Sequence, residues 1–165
     1  MKKIALLLIL AGLALWYFDI SRRMTEASIH EAYREQLKAT QASNAEAICS
    51  RMTDDYRLVD TSYGPEGTRT DTMDREEACT ELEKSLKVFE RLGKVTGGLL
   101  SPEIDIDIKR IELSHDRKTA TVEAVSTIKI GDTMLARSRG TEKLIRRAGR
   151  ILSQGGESKT WTYAQ

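Results

Sequence analysis

Six residues at the start of the C-terminal third of the chain constrain its fold more than any other stretch. Ile104, Ile106 and Ile108 interleave with Asp105, Asp107 and Lys109. Alternation at period two puts the isoleucines on one face of a strand and the charges on the other. A helix would scatter the same residues around its axis, so the stretch predicts a sheet with one dry face. Ile111 and Leu113 resume the pattern one residue out of phase, across Lys109-Arg110. One extra residue in a strand is what a β-bulge looks like in sequence, and a bulge bends the sheet.

Three more strands follow. Ser114–Lys118 is a polar turn, and a second strand from Thr119 shows Ala120, Val122, Ala124, Ser126, Ile128 and Ile130 on one face. Gly131-Asp132 suits a two-residue hairpin, where glycine takes the positive φ. A third strand spans Thr133–Arg147, with a kink expected at Gly140, and Ala148-Gly149 leads into a fourth from Arg150 through Trp161. Gly155-Gly156 interrupts that strand, either as a bulge or as a point where another chain comes close. An antiparallel meander of this kind needs a cover on its inner face, and only the upstream helices can supply one.

Those helices are legible as stripes and caps. Ile29, Ala32, Tyr33 and Leu37 form one helical stripe within residues 21–42, which read as a charged stalk or as a first helix. Ser43-Asn44-Ala45-Glu46 is a capping box with Ser43 at the N-cap. The helix it opens, running to Asp55, carries Ala45, Ile48, Cys49, Met52 and Tyr56 on one face. Tyr56–Tyr63 then reads as a strand, Gly64-Pro65-Glu66-Gly67 as a turn, and Thr68–Thr72 as the returning strand. Asp74 with Glu77 caps another helix, striped by Ala78, Cys79, Leu82, Leu86 and Phe89 and expected to end at Gly93.

The extreme N-terminus has the pattern of an export signal. Met1-Lys2-Lys3 precedes an almost wholly apolar run from Ile4 to Phe18, with Asp19 after it. Residues 1–20 read as a signal anchor through the lipid bilayer, using residues 4–18, or as a signal peptide cleaved after Ala14. The anchor is favoured because Trp16, Tyr17 and Phe18 extend the apolar character past that cut. Either way the remainder is expected on the outer side of an inner membrane, facing the periplasm. Without Lys2 and Lys3 the 26 cations and 25 anions become 24 and 25, so nothing in the bulk charge calls for nucleic acid.

The order of these elements resembles the nuclear-transport-factor-2-like, or SnoaL-like, domains of the cystatin-like α+β class. The resemblance rests on the capped helix running into Tyr56-Arg57-Leu58-Val59-Asp60, the turn Gly64–Gly67, the helix Asp74–Leu92 and the closing hairpin Glu142–Ile151. It implies an α+β cone over residues 43–165, with helices packed in the concave face of a bent antiparallel sheet. It also implies that the helices carrying Cys49 and Cys79 lie close together. In an exported domain an even cysteine count suggests a disulfide between them, against two buried free thiols. Members of the superfamily include isomerases, dehydratases, binding proteins and assembly subunits, so the fold does not assign a function.

No pattern of residues marks a catalytic centre, a metal site or a cofactor. His30 and His115 lie in polar stretches, and there is no CxxC motif. Asp54, Asp55 and Asp60 read as helix-end and solvent-facing groups. Tyr33, Met52, Tyr56 and Trp161 are the candidates for lining a pocket, although only 5% of the chain is aromatic. The expected role is a membrane-tethered periplasmic binding or assembly module that meets a protein partner or a second copy through its sheet face. Two alternatives stand beside it. One is a SnoaL-like isomerase, dehydratase or hydrolase acting on a small apolar ligand in the cone. The other is a periplasmic inhibitor or immunity-type protein.

Overall fold

The alternating stretch is a strand, and the helix upstream lies on its isoleucine face. The computed structural model describes residues 7–14, 17, 23–98 and 101–163. Within them, helix α1 (Glu26–Gln41) is followed by α2 (Ala45–Cys49), the hairpin β1 (Met52–Gly64) and β2 (Gly67–Asp74), and helix α3 (Arg75–Val95). The meander β3 (Glu103–Leu113), β4 (Thr119–Ile130), β5 (Thr133–Arg147) and β6 (Arg150–Thr162) completes the chain of elements. The six strands form one sheet in the order β2-β1-β6-β5-β4-β3. Neighbours pair antiparallel except β1 and β6, which run parallel. The sheet is therefore mixed, because the early hairpin docks beside the last strand.

The core sits where α1 crosses β3 to β6. Met24, Ile29 and Val122 are fully buried, with Tyr33, Ala120 and Leu144 beside them. Ile106, Ile108, Ile111 and Leu113 pack against this cluster. The register of β3 on β4 shifts between Ile108 and Arg110. That one-residue slip keeps the isoleucines before it and after it on the same dry face, while Asp105 and Asp107 stay exposed. Each large side chain fully buried here contributes roughly 1.5–3 kcal/mol. A smaller group, Ile48, Ala78 and Leu86, is buried on α2 and α3.

Three local expectations are corrected. The helix expected from Ser43 to Asp55 is only the single turn and a half of α2, so Met52 and Tyr56 stand on β1 instead of a helical face. Thr53, Asp54 and Asp55 are weak helix formers, and the chain here is captured by β6, with Met52 opposite Ser153 and Ser153 N donating to Arg51 O at 2.7 Å. The N-cap of α2 is Asn44, whose side chain accepts from Ala47 N, because Ser43 already closes α1 with φ +52. Helix α3 runs past Gly93 to Val95. Gly97 takes the left-handed position instead, and Gly98 N donates to Gly93 O at 2.8 Å, closing a Schellman turn. The capping box at Asp74 and Glu77 forms as read.

Gly155 and Gly156 answer the question their sequence posed. Gly155 has φ +86, and a Cβ on it would stand 2.0 Å from Arg57 O. A Cβ on Gly156 would stand 1.8 Å from Thr141 O. The pair is a bulge, and the backbone that comes close to it belongs to the neighbouring strands β1 and β5 of the same chain. The register shifts on both sides of it, between Met52 and Arg57 and between Glu142 and Leu144. Gly156→Ala is expected to destabilise the fold by about 2–4 kcal/mol, since the β5 backbone at Thr141 and Glu142 must move. Gly131→Ala, in a turn with open space around it, should cost only about 1 kcal/mol. Urea unfolding of the two variants checks this, and equal losses would refute the close-approach reading.

Candidate functional site

The face covered by α1 is not filled along its whole length. Beyond Val122 the side chains shorten to Ala124, Ser126 and Ser138, and Gly140 and Gly156 offer none. A pocket of about 280 Å³ opens there. Leu58, Ile106, Val122 and Ala124 give it aliphatic walls, and Tyr33 and Tyr56 enter from α1 and β1. Glu142 is its charged centre. Alternation along β5 sets this carboxylate on the core face, directly opposite the fully buried Val122 and two residues from buried Leu144.

Glu142 is held by Tyr33, whose hydroxyl donates to Glu142 Oε2. Burial first, then the charge of Glu142 and the hydrogen bond to it, push the Tyr33 phenol far above its ordinary range. Burial first, and Glu142 second, push the Tyr56 phenol up to about 12. Both phenols therefore stay neutral at physiological pH and report the same negative group between them. A second carboxylate lies behind the wall. Asp60 accepts from Thr160 Oγ1 at 2.9 Å, from Ser62 Oγ at 2.8 Å and from the hydroxyl of the pocket residue Ser158. Asp60 is thus a half-buried, hydrogen-bonded group and not a solvent-facing one, because β1 brings it beside β6.

No protein-family model matches the chain, and no curated protein matches it in sequence. Solved structures do match it in shape. Aln2 from a Streptomyces species superposes with a TM-score of 0.58 at 12% identity, covering 84% of this chain and 94% of that one. A nuclear-transport-factor-2-like protein of unknown function from Shewanella oneidensis gives 0.54 at 14% identity, covering 82% and 99%. A candidate scytalone dehydratase from Novosphingobium aromaticivorans gives 0.52 at 15% identity, covering 84% and 87%. The chain has the nuclear-transport-factor-2-like fold. At these identities the likeness fixes the architecture and leaves the chemistry to the residues of this chain.

Within that fold, the four sequence-predicted pocket residues divide. Tyr33 and Tyr56 meet in the pocket. Trp161 lies on the opposite face of the sheet, stacked on Tyr63 with ring centroids 5.5 Å apart, where it lines a separate cavity of about 470 Å³ together with Arg139, Lys159 and Glu123. Alternation along β6 explains this, since Trp161 is an odd number of residues from Ser158. Met52 is at the start of β1, its sulfur 3.7 Å from Cys79 Sγ and away from the pocket. Cys49 and Cys79 are joined in a disulfide that ties α2 to α3, with Cα atoms 5.8 Å apart. His30 and His115 are exposed. Among the described residues no group of three or more His, Cys, Asp or Glu is placed to hold a metal ion.

Sequence reading missed Glu142, and the signal was present. Counting back from Leu144 in steps of two along β5 reaches Glu142, Gly140 and Ser138, a face that turns from apolar to polar. Both phenol shifts favour the neutral form in the folded state. Their contribution to stability is intact below the ordinary phenol value of 10.0 and falls as pH climbs from there towards about 12 for Tyr56, and further still for Tyr33. Following phenolate absorbance against pH, we expect Tyr56 to ionise near 12 and Tyr33 only as the protein unfolds. The Tyr33→Phe variant should lose the unfolding-linked step; its persistence would show that another tyrosine carries it.

Proposed function

We propose that this domain binds a small molecule in the pocket beneath α1, with Glu142, Tyr33 and Tyr56 as its recognition centre. The observation that carries the reading is a pocket of about 280 Å³ with a carboxylate at a core-facing strand position. A carboxylate and two phenols among aliphatic side chains bring less stability than a filled core, and such groups cluster where ligands bind. Ser138→Phe puts a ring into this space. Compounds from a library of small molecules that raise the melting temperature of the wild type should fail to do so in this variant. Stabilisation that survives the filling would move the site elsewhere.

A second reading is supported by the same carboxylate and by the likeness to a candidate scytalone dehydratase. Glu142 can take a proton from a bound molecule, which is what a dehydratase or isomerase of SnoaL-like type requires of one group. Glu142→Gln would then abolish turnover while leaving the fold intact. The outer face supports a further role in docking a protein partner or a second copy. There the acidic Asp105 and Asp107 on β3 lie across the sheet from Arg137, Arg139 and Lys159 on β5 and β6, all exposed.

We place the domain outside the cytoplasm, carried there by the N-terminal apolar run. Lys2-Lys3 followed by residues 4–18 and the disulfide support this, since disulfides persist in oxidising compartments. Among the described residues no helix is long and apolar enough to cross a membrane. Residues 4–6, 15–16 and 18 of the apolar run lie outside those described. The bridge spans a sequence separation of 30, and its reduction is expected to lower stability by roughly 3–4 kcal/mol on a chain-entropy basis. Denaturant unfolding with and without reductant measures this. Protein taken from cells should resist thiol alkylation when denatured without reductant, and labelling of both cysteines would place it in a reducing compartment.

A further inference from the structure

The charge around the pocket is one-sided, and this says what kind of molecule fits it. Among the described residues no lysine, arginine or histidine lines the space. Glu142 is in its wall, and Asp60 stands directly behind Ser158. The two hydroxyl protons whose direction is set both point at these carboxylates. Tyr33 gives its proton to Glu142 and Ser158 gives its proton to Asp60, which leaves both oxygens with lone pairs alone to offer a ligand. Ser126, Ser138 and Tyr56 add neutral hydroxyls that accept as readily as they donate.

We infer that the pocket is selective for a free organic ammonium ion, seated against the rings of Tyr33 and Tyr56 with its charge towards Glu142. This rests on the proposed ligand-binding role of the same pocket and names its ligand class. Aromatic faces attract a cation through their negative quadrupole, and the half-buried Glu142 carboxylate adds a charge-assisted hydrogen bond. The aliphatic residues Leu58, Ile106 and Val122 cover the organic part of such a molecule. An anionic ligand meets the opposite balance, with two carboxylates nearby and no cation to offset them. The same argument disfavours ammonium groups that carry a phosphate, such as a lipid headgroup. The upward shifts of the Tyr33 and Tyr56 phenols agree, since Glu142 contributes to both.

Isothermal titration of the full-length protein with three molecules of similar shape tests this: 2-phenylethylammonium, 2-phenylethanol and 3-phenylpropanoate. The ammonium should bind at least about tenfold more tightly than the alcohol, and the carboxylate should bind most weakly. Phosphoethanolamine, the headgroup arm, should not compete with the ammonium. Glu142→Gln keeps an acceptor for Tyr33 and should erase the preference for ammonium over alcohol, while Gln36→Ala, at the pocket's rim and uncharged, should keep it. If alcohol and ammonium bind the wild type equally, the charge selectivity is overturned and the pocket remains a ligand site. If the carboxylate binds best, the inferred class is wrong in sign. If none of the three binds or competes, the ligand-binding reading of the pocket falls, and the ammonium inference with it.

Discussion

The architecture depends on the contact between α1 and the dry face of β3 to β5. Ile29 and Tyr33 on the helix meet Val122 and Leu144 on the sheet, and Met24 seals the approach to the helix. Met24 N also donates to Arg117 O at 2.6 Å, which ties the start of α1 to the β3–β4 turn. With the helix fixed at that end, its next turn is suspended above strand positions occupied by small residues. The pocket is the part of the interface where large side chains stop and the helix continues. Tyr33 belongs to both regions, with its ring in the core and its hydroxyl on Glu142.

The glycine pair on β6 shapes the opposite wall. Because neither residue carries a Cβ, the carbonyls of Arg57 and Thr141 close in on that strand from both sides. The three strands are drawn together where their register slips, and slipped register increases local twist. Glu142 lies opposite Gly156 at this point. A bulkier residue there would force β5 away and take the carboxylate with it. The position of the site and the tolerance of the sheet for curvature therefore share one cause.

Much of this was readable from the residues, and the parts that were not have a common reason. The strands of the meander, the bulge at Lys109, the two-residue turn at Gly131-Asp132 and the cap at Asp74 all rest on local patterns. Alternation, turn chemistry and capping need no knowledge of distant chain. The failure at Met52–Asp55 is different. Those residues become strand because β6 reaches them from a hundred positions away, as in the hydrogen bond from Thr53 Oγ1 to Ser153 O. Trp161 was assigned to the pocket by its type, and the pleat of β6 sends it to the other face. Glu142 was passed over because a glutamate in a basic hairpin looks like surface balance, although its phase with Leu144 is that of the core. Helix-pattern reading also stopped α3 early at Gly93, when the double glycine at 97–98 was the stronger terminator.

The parallel pairing of β1 with β6 has a temporal meaning. The sixth strand is last in sequence but third in spatial order, between the early hairpin and the rest of the meander. Asp60 and Ser158, which touch across that seam, are 98 residues apart. A ribosome-bound chain lacking its final segment has two half-sheets with unpaired inner edges and nothing to join them. The loop closure that unites them carries an entropic cost, so the sheet is completed only after β6 has been made. Until β6 is in place, the inner edges of both half-sheets stay open to other partners.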